Sequence, residues 1–196
     1  GEEAMILLAT EPDLVARRVM LMAEQAIAQA RSLLKSGAPG VMLGGGDLIA
    51  AFLAHCRQRG LTPFVSLRLN DGHGLEFVGQ AHPSAAHTVS RFYEDHYLEY
   101  RIGPDQRDWH QHVLNWAIPQ VRDHKFAFIQ EICENYPIDG FELDFMRHNS
   151  FFQLDKTASA ERRQIMTDFV RRVRQTLDRT AAPGQHRWLC IRVPAY

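Results

Sequence analysis

The sequence has little excess charge of either sign, no long hydrophobic run and few cysteines. Its 22 lysines and arginines nearly balance its 23 aspartates and glutamates, so the formal net charge is -1. Nucleic acids and anionic membrane surfaces are bound through an excess of positive charge, so neither is indicated as the main partner. No apolar run approaches the roughly 18 residues of a membrane helix, and no signal peptide is visible. The sequence predicts no membrane span and assigns no compartment.

The cysteines argue against a disulfide framework and against a zinc site. Cys56, Cys133 and Cys190 are odd in number, widely spaced and each in an apolar context, which is typical of buried thiols. The rest of the composition is that of a globular protein, because 196 residues with 45% hydrophobic content can bury one core. We expect a single domain over residues 1–196, with no cofactor.

The most informative stretch is residues 138–148, which read Ile-Asp-Gly-Phe-Glu-Leu-Asp-Phe-Met-Arg-His. The apolar content predicts a strand, and the side chains of a strand alternate between its two faces. Glu142 and Asp144 therefore share one face, while apolar side chains occupy the other. Two carboxylates in a buried strand need a polar enclosure, because an unpaired buried carboxylate costs on the order of several kcal/mol. They are either acidic groups of a functional site or structural partners of buried arginines.

The predicted strands before and after this stretch also carry polar side chains on one face. Arg68 and Asn70 occupy the polar face of the earlier strand, and Arg192 occupies that of the later strand. The carboxyl ends of parallel strands meet at one edge of a sheet. We therefore expect these three side chains to converge with Glu142 and Asp144 on one open site.

Strands alternate with helices along the chain. The predicted strands cover residues 5–9, 41–43, 62–70, 138–148 and 187–193, and the predicted helices cover 14–34, 48–59, 90–97, 119–136 and 159–179. This alternation predicts an α/β fold with a parallel sheet. We interpret it as a truncated or partial (β/α) barrel of the TIM type, because about five β/α units are visible where a closed barrel takes eight. Either the sequence is part of a longer protein, or a second copy completes the barrel as a homo-oligomer.

The segment between Gly72 and Leu114 holds one short predicted helix and many aromatic residues. Long loops in compact domains are usually functional or disordered, and the aromatic content argues against disorder. Aromatic rings beside a polar pocket suit the apolar faces of sugars, and they equally suit pinning a loop to its domain. The rings in and just after this segment are those of Phe92, Tyr93, Tyr97, Tyr100, Trp109 and Trp116. Trp116 is our candidate for the ring that binds substrate.

Three segments resemble a known family. They are Ser66-Leu-Arg-Leu-Asn-Asp-Gly-His73, Leu114-Asn-Trp-Ala-Ile-Pro-Gln-Val-Arg-Asp123 and the stretch 138–148. They look like an Arg-x-Asn-Asp-x-His strand end, a Val-Arg-Asp helix start and an Asp-Gly-x-x-Leu-Asp-x-x-Arg strand of glycoside hydrolase-like TIM-barrel proteins of bacteria. The resemblance covers roughly residues 45–196 and implies a TIM barrel with glycosidase activity.

The strand residues Gly-Phe-Glu-Leu-Asp are also similar to the nucleophile strand of the α-amylase superfamily. That family has an aspartate at the position of Asp144, and it expects an arginine where this chain has Glu142. The departure argues against a true amylase. The resemblance therefore implies only that Asp144 is a candidate catalytic carboxylate.

From the residues and the resemblance we predict a glycoside hydrolase that acts on a polysaccharide or oligosaccharide. Such a reaction needs two carboxyl groups that flank the glycosidic bond. Glu142 and Asp144 stand about 7 Å apart along one strand and approach from one side. We therefore name Asp71 as the candidate partner of Asp144 and keep Glu142 as a third catalytic candidate. A carboxylate beyond Tyr196 is the alternative partner.

The other candidate residues are assigned to charge control and substrate binding. Nearby arginines lower the pKa of a carboxyl group, so they would keep Asp144 ionised. The arginines assigned to this role are Arg68, Arg147 and Arg192. The residues expected to bind sugar hydroxyls are Asn70, His73 and His148.

Two other functions are open at this point. The first is a metal-dependent barrel hydrolase, lyase or isomerase, because carboxylates and imidazoles suit divalent metals. Its ligands would come from Asp71, His73, Glu142, Asp144 and His148. The three arginines argue against it, because they would repel the ion, and we assign no metal ligand. The second is a carbohydrate-binding pseudoenzyme that keeps the pocket without turnover.

Overall fold

The computed structural model of the chain describes residues 48–79, 90–146 and 148–194. The chain divides between Ala51 and Phe52, and residues 52–196 form one compact unit that contains the whole described sheet. The helices are α1 (Leu48–Gln58), α2 (Arg91–Tyr100), α3 (Pro119–Asn135) and α4 (Ser159–Thr180), and the strands are β1 (Phe64–Arg68), β2 (Gly140–Asp144) and β3 (Trp188–Arg192). A short 3₁₀ helix covers Leu75–Phe77.

Local signals explain where several of these elements begin and end. Pro119 occupies the first turn of α3, where a missing N–H costs nothing. Pro137 follows the end of α3 and cannot continue it. After α1, Gly60 adopts a φ of 71°, which is a left-handed conformation that favours glycine. The helices and strands predicted within the described residues are confirmed, with ends that differ by a few residues.

The three strands form one parallel sheet in the order β1-β2-β3. In its register Glu142 lies between Ser66 and Cys190, and one row further on Asp144 lies between Arg68 and Arg192. Because partners in a parallel register point to the same face, these two rows form one polar face of the sheet. We call it the polar sheet face; it comprises Ser66, Arg68, Glu142, Asp144, Cys190 and Arg192.

The core gathers around β2 and the two long helices. Phe141 and Leu143, which alternate with the carboxylates of β2, are buried. In α3 the buried stripe includes Val121 and Ile129, and in α4 it comprises Phe169, Val173, Thr176 and Leu177. Helices α3 and α4 pack against each other, and the rings of Phe126 and Phe169 meet edge to face with centroids 6.4 Å apart.

The prediction of a TIM-type barrel is wrong for the described part of the chain. Residues 48–194, apart from the gaps at 80–89 and 147, contain three strands in an open sheet, and no barrel of five β/α units is evident in them. The predicted strands at 5–9 and 41–43 and the helix at 14–34 lie outside the described residues. Alternating strands and helices are common to open and closed parallel sheets, whereas closure also needs matched strand number, tilt and shear. The sequence pattern therefore predicted a parallel sheet correctly, but it could not predict whether the sheet closes into a barrel.

The cysteines agree only in part with the prediction of three buried thiols. All three are free, and Cys56 and Cys133 are buried. Cys190 is exposed, so the prediction is wrong for this residue. Its strand β3 lies at an edge of the described sheet, and the thiol points to the polar sheet face. The sequence suggested a buried thiol because the residues next to Cys190 are apolar.

Candidate functional site

Asp144 lies at the carboxyl end of the central strand, buried and held on both oxygens. The backbone N–H of Met146 donates a 2.8 Å hydrogen bond to its Oδ1. The guanidinium of Arg192 lies 3.7 Å from its Oδ2, and that arginine side chain is 59% exposed. Asp144 therefore has one hydrogen-bond partner in the backbone and one cationic partner whose side chain is exposed to solvent.

Glu142 sits one row below Asp144 on the polar sheet face and binds to both neighbouring strands. The hydroxyl of Ser66 donates a 2.7 Å hydrogen bond to Oε1, and the thiol of Cys190 lies 3.7 Å from Oε2. Partial desolvation by its neighbours, followed by the charge of Glu142 and the contact with its carboxylate, raises the pKa of the exposed Cys190 thiol. The carboxylate of Glu142 thus bridges all three strands.

Asp71 follows the end of β1 and gathers three donors around its carboxylate. Arg68 donates to Oδ2 at 3.2 Å, and the backbone N–H of His73 donates to Oδ1 at 3.1 Å. The imidazole of His73 also contacts Oδ1 through Nδ1. Burial raises the pKa of Asp71, but the hydrogen bonds from His73 and Arg68 outweigh it and bring that pKa below its usual value.

His148 completes a cluster with Asp71 and His73. Its Nδ1 accepts a 3.1 Å hydrogen bond from the backbone N–H of Gly72 and lies 3.5 Å from Oδ1 of Asp71. The residue is buried and has a φ of 50°, a left-handed conformation that costs a non-glycine residue on the order of 1 kcal/mol. One ligand atom from each of these three residues lies within 4.8 Å of the others. We call Asp71, His73 and His148 the Asp–His cluster.

The indole ring of Trp109 covers the Asp–His cluster. It stacks on the imidazole of His148 with centroids 4.6 Å apart and an interplanar angle of 14°. The ring of His73 meets it edge to face at 5.9 Å. Trp109 nevertheless remains 55% exposed. Sequence reasoning placed it in the aromatic segment but did not select it; its position amid polar residues was the only available signal.

Asn70 and Trp116 do not face the polar groups of this site. The amide of Asn70 is buried and donates hydrogen bonds to the carbonyls of Leu114 and Ser150. Trp116 is fully buried, and its ring packs edge to face against Phe151 and Phe169. Both side chains therefore lie in the interior, where they contact other parts of the protein. Arg147, the third arginine assigned to Asp144, lies outside the described residues.

The structure does bring the other candidates to one end of the sheet. Arg68, Asp144 and Arg192 form one row of the register, and Arg68 also contacts Asp71. Both carboxylates, Asp144 and Asp71, thus lie at the carboxyl ends of adjacent strands.

An open cleft of about 590 Å³ adjoins this end of the sheet on the β1 side. Arg68, Asp71 and His73 line it from the site. Tyr93 of α2 and His124 of α3 line it from the helices. The cleft therefore gives solvent-sized molecules a route to the carboxylate of Asp71.

No protein-family model matches the chain, and no curated protein matches it either. The resemblance to glycoside hydrolase-like proteins therefore rests on the three sequence segments alone. Within the described ranges, none of the helices has the length and apolar character needed to cross a bilayer. The prediction of no membrane span is confirmed for those residues.

Proposed function

We propose that this chain is a glycoside hydrolase that cleaves a polysaccharide or oligosaccharide, with Asp144 and Asp71 as its two carboxyl groups. The observation that carries the proposal is their placement. They stand at the same end of two neighbouring parallel strands, and an arginine faces each one. Glycosidic bonds are cleaved by two carboxyl groups from different positions around the bond, which a single strand does not supply.

In this reaction one carboxylic acid protonates the leaving oxygen as the bond from the anomeric carbon to that oxygen breaks. The other carboxylate either attacks the anomeric carbon or activates the water that does so. Water finally supplies a hydroxyl group to the anomeric carbon, and its remaining proton returns to the pair of carboxyl groups and restores the acid. Arg192 and Arg68 orient the two carboxylates, and Arg68 is itself exposed enough to contact substrate.

Glu142 has a positioning role in this proposal. Its two oxygens are engaged by Ser66 and Cys190, and it lies one row further from the strand ends than Asp144. It fixes the spacing of the three strands at the point where their ends present the reactive groups.

The test is a panel of soluble polysaccharides incubated with the protein and with Asp144→Asn and Asp71→Asn, followed by measurement of reducing ends. We expect each substitution to lower product release by about 100-fold or more, as loss of a positioned acid or base does. Asp168→Asn, at an exposed carboxylate on α4, is the matched control and should keep full activity. Equal product release by Asp144→Asn and the unchanged protein would remove Asp144 from the reaction.

A metal-dependent hydrolase, lyase or isomerase is the second candidate, because the Asp–His cluster brings three ligand-type residues together. Two contacts argue against a metal ion. The N–H of Gly72 donates to Nδ1 of His148 and so occupies that lone pair, and the guanidinium of Arg68 contacts Asp71, where its positive charge would repel a cation. Elemental analysis of the purified protein distinguishes the two functions. A stoichiometric divalent metal that is lost in His73→Ala would favour the second candidate and overturn the first.

A further inference from the structure

Trp109 combines exposure with a rigid support, which is unusual for a tryptophan on a loop. The loop that carries it is closed by hydrogen bonds from Ile102 to Val113 and from Gly103 to Gln111. Next to the indole, the carboxylate of Asp108 accepts hydrogen bonds from the backbone N–H of His110 and the side chain of Gln111. Beneath the indole lies the buried imidazole of His148. The ring is therefore supported from below by His148 and at the base of its loop by these hydrogen bonds.

The groups around the indole are those that bind sugar hydroxyls. His73, whose side chain is 43% exposed, meets the ring edge to face. Asp71 contacts this same histidine and is itself contacted by Arg68. A pyranose ring presents C–H groups on its flat face and hydroxyls around its rim. An aromatic platform with charged and polar groups at its edge matches both parts at once.

We infer that Trp109 is the stacking platform of a sugar-binding subsite, on which a pyranose ring of the substrate lies with its C–H face against the indole. His73 and Arg68 are the groups that form hydrogen bonds with its rim hydroxyls, and the catalytic carboxylate of Asp71 lies beside them. This inference deepens the proposed function and rests on it for the substrate class. It also explains why the tryptophan is held rigidly while its ring stays open, since a preorganised platform loses little conformational freedom on binding.

The other exposed tryptophan supplies a matched control. Trp188 is 58% exposed, but it stands at the amino end of β3, and His186 is the ring it contacts. Trp116, the third tryptophan of the chain, is fully buried. Trp188→Phe therefore retains two indoles, the exposed one of Trp109 and the buried one of Trp116, so a ligand-induced change in the emission from the exposed indole reports on Trp109.

The experiment measures binding in Asp144→Asn, so that turnover does not consume the ligand. Cellohexaose, xylohexaose and chitohexaose are titrated by calorimetry into this protein and into versions that also carry Trp109→Ala, Trp109→Phe or Trp188→Phe. We expect at least one oligosaccharide to bind, with about tenfold weaker binding after Trp109→Ala, a smaller loss after Trp109→Phe and no change after Trp188→Phe. In the Trp188→Phe protein, the bound sugar should shift the emission of Trp109.

The outcomes separate the two proposals. Binding that depends on Trp109 but leads to no product in the unsubstituted protein supports the subsite and overturns the hydrolase. Product release with binding that Trp109→Ala leaves unchanged overturns the subsite and keeps the hydrolase. Absence of binding of all three oligosaccharides at millimolar concentration overturns the subsite. Thermal unfolding of Trp109→Phe shows whether the fold is intact, because that variant keeps an aromatic ring over His148.

Discussion

The buried side-chain amide of Asn70 donates hydrogen bonds to the carbonyl oxygens of Leu114 and Ser150, at 2.9 and 2.6 Å. Leu114 pairs with Arg101 at the base of the loop that carries Trp109, and Ser150 follows His148 by two residues. One side chain just beyond β1 therefore fixes both segments that build the proposed subsite. Asn70 acts on the site through these segments.

The first prediction concerns this double hydrogen bond. Asn70→Asp keeps the size of the side chain but replaces the donor by a carboxylate oxygen, which repels both carbonyls and places a charge in a buried position. We expect the free energy of unfolding to fall by about 2–4 kcal/mol. Urea denaturation followed by circular dichroism measures it.

The matched control for this change is Asn135→Asp. The amide of Asn135 also donates to a backbone carbonyl, that of Glu131, but it lies exposed on α3. Its loss should cost well under 1 kcal/mol, since water replaces the lost partner. If Asn70→Asp and Asn135→Asp lowered the free energy of unfolding equally, burial would not be the reason that the hydrogen bonds of Asn70 stabilise the protein.

The second prediction concerns Gly72, whose N–H holds His148. A Cβ at this position would lie 2.5 Å from Nε2 of His112 and 2.9 Å from Cγ1 of Val113, and Val113 is fully buried. Gly72→Ala should therefore shift the strand end and destabilise the protein by about 1–3 kcal/mol. Chemical denaturation measures the loss, and the hydrolytic activity that we propose should fall with it.

Gly103→Ala is the control for this overpacking. A Cβ at Gly103 would meet the side chain of Gln111, which can swing away at the cost of its hydrogen bond to Asp108. We expect its effect on stability to be several times smaller. If Gly103→Ala destabilised the protein as much as Gly72→Ala, the rigid surroundings of Gly72 would not be the cause.

The sequence predicted local features better than the burial of single side chains. Pro119 and Pro137 predicted the two ends of helix α3. The alternation of Glu142 and Asp144 with apolar residues predicted that β2 contributes two carboxylates to one polar face of the sheet. These signals act over a few residues. The sequence could not distinguish Trp109 from Trp116, because both lie in one aromatic stretch and only tertiary packing leaves one exposed and the other in the core.

Asn70 shows a second limit of sequence reasoning. It alternates with Arg68 along the strand pattern, and a continued strand would have placed both side chains on one face. Strand β1 ends at Arg68, however, and the chain turns at the next residues. The turn directs Asn70 inward to loop carbonyls that are distant in sequence.

The third prediction concerns the dependence of stability on pH through His124. Burial, with the charge of Lys125 as a smaller cause, lowers the pKa of His124 from 6.5 to about 4. Above pH 6.5 neither the folded nor the unfolded state binds the proton, and between pH 6.5 and 4 only the unfolded state does. Acidification over this range should therefore reduce the free energy of unfolding, by on the order of 1–3 kcal/mol for this residue.

His124→Phe tests this assignment. The ring of His124 stacks on Phe92 at 3.9 Å, and phenylalanine keeps a stacking ring without a titrating group. Urea unfolding at pH 7 and pH 4.5 gives the acid-induced loss for each protein. We expect a smaller loss in the variant. An identical loss in both proteins would assign the acid sensitivity to other groups.

The last prediction concerns Lys125, a charged residue on the buried stripe of α3. It is 7% exposed, and its ammonium lies 5.2 Å from the centroid of the Tyr93 ring. Among the residues that the structure describes, no carboxylate forms an ion pair with it. The stem of Lys125 is buried while the residue lines the open cleft. A hydrophobic side chain of similar volume often replaces such a partly desolvated charge with a gain. Lys125→Met should therefore raise the free energy of unfolding at pH 7 by about 1 kcal/mol.

Lys125→Met should also change the acid response of its neighbour. The charge of Lys125 contributes to the low pKa of His124, so its removal raises that pKa and reduces the loss of stability between pH 6.5 and 4. Urea unfolding at pH 7 and pH 4.5 measures both effects, with Lys156→Met, at an exposed lysine, as the control. A less stable Lys125→Met protein at pH 7 would show that the contact with Tyr93 outweighs the cost of burying the charge, since cation–π pairs reach about 2 kcal/mol when desolvated.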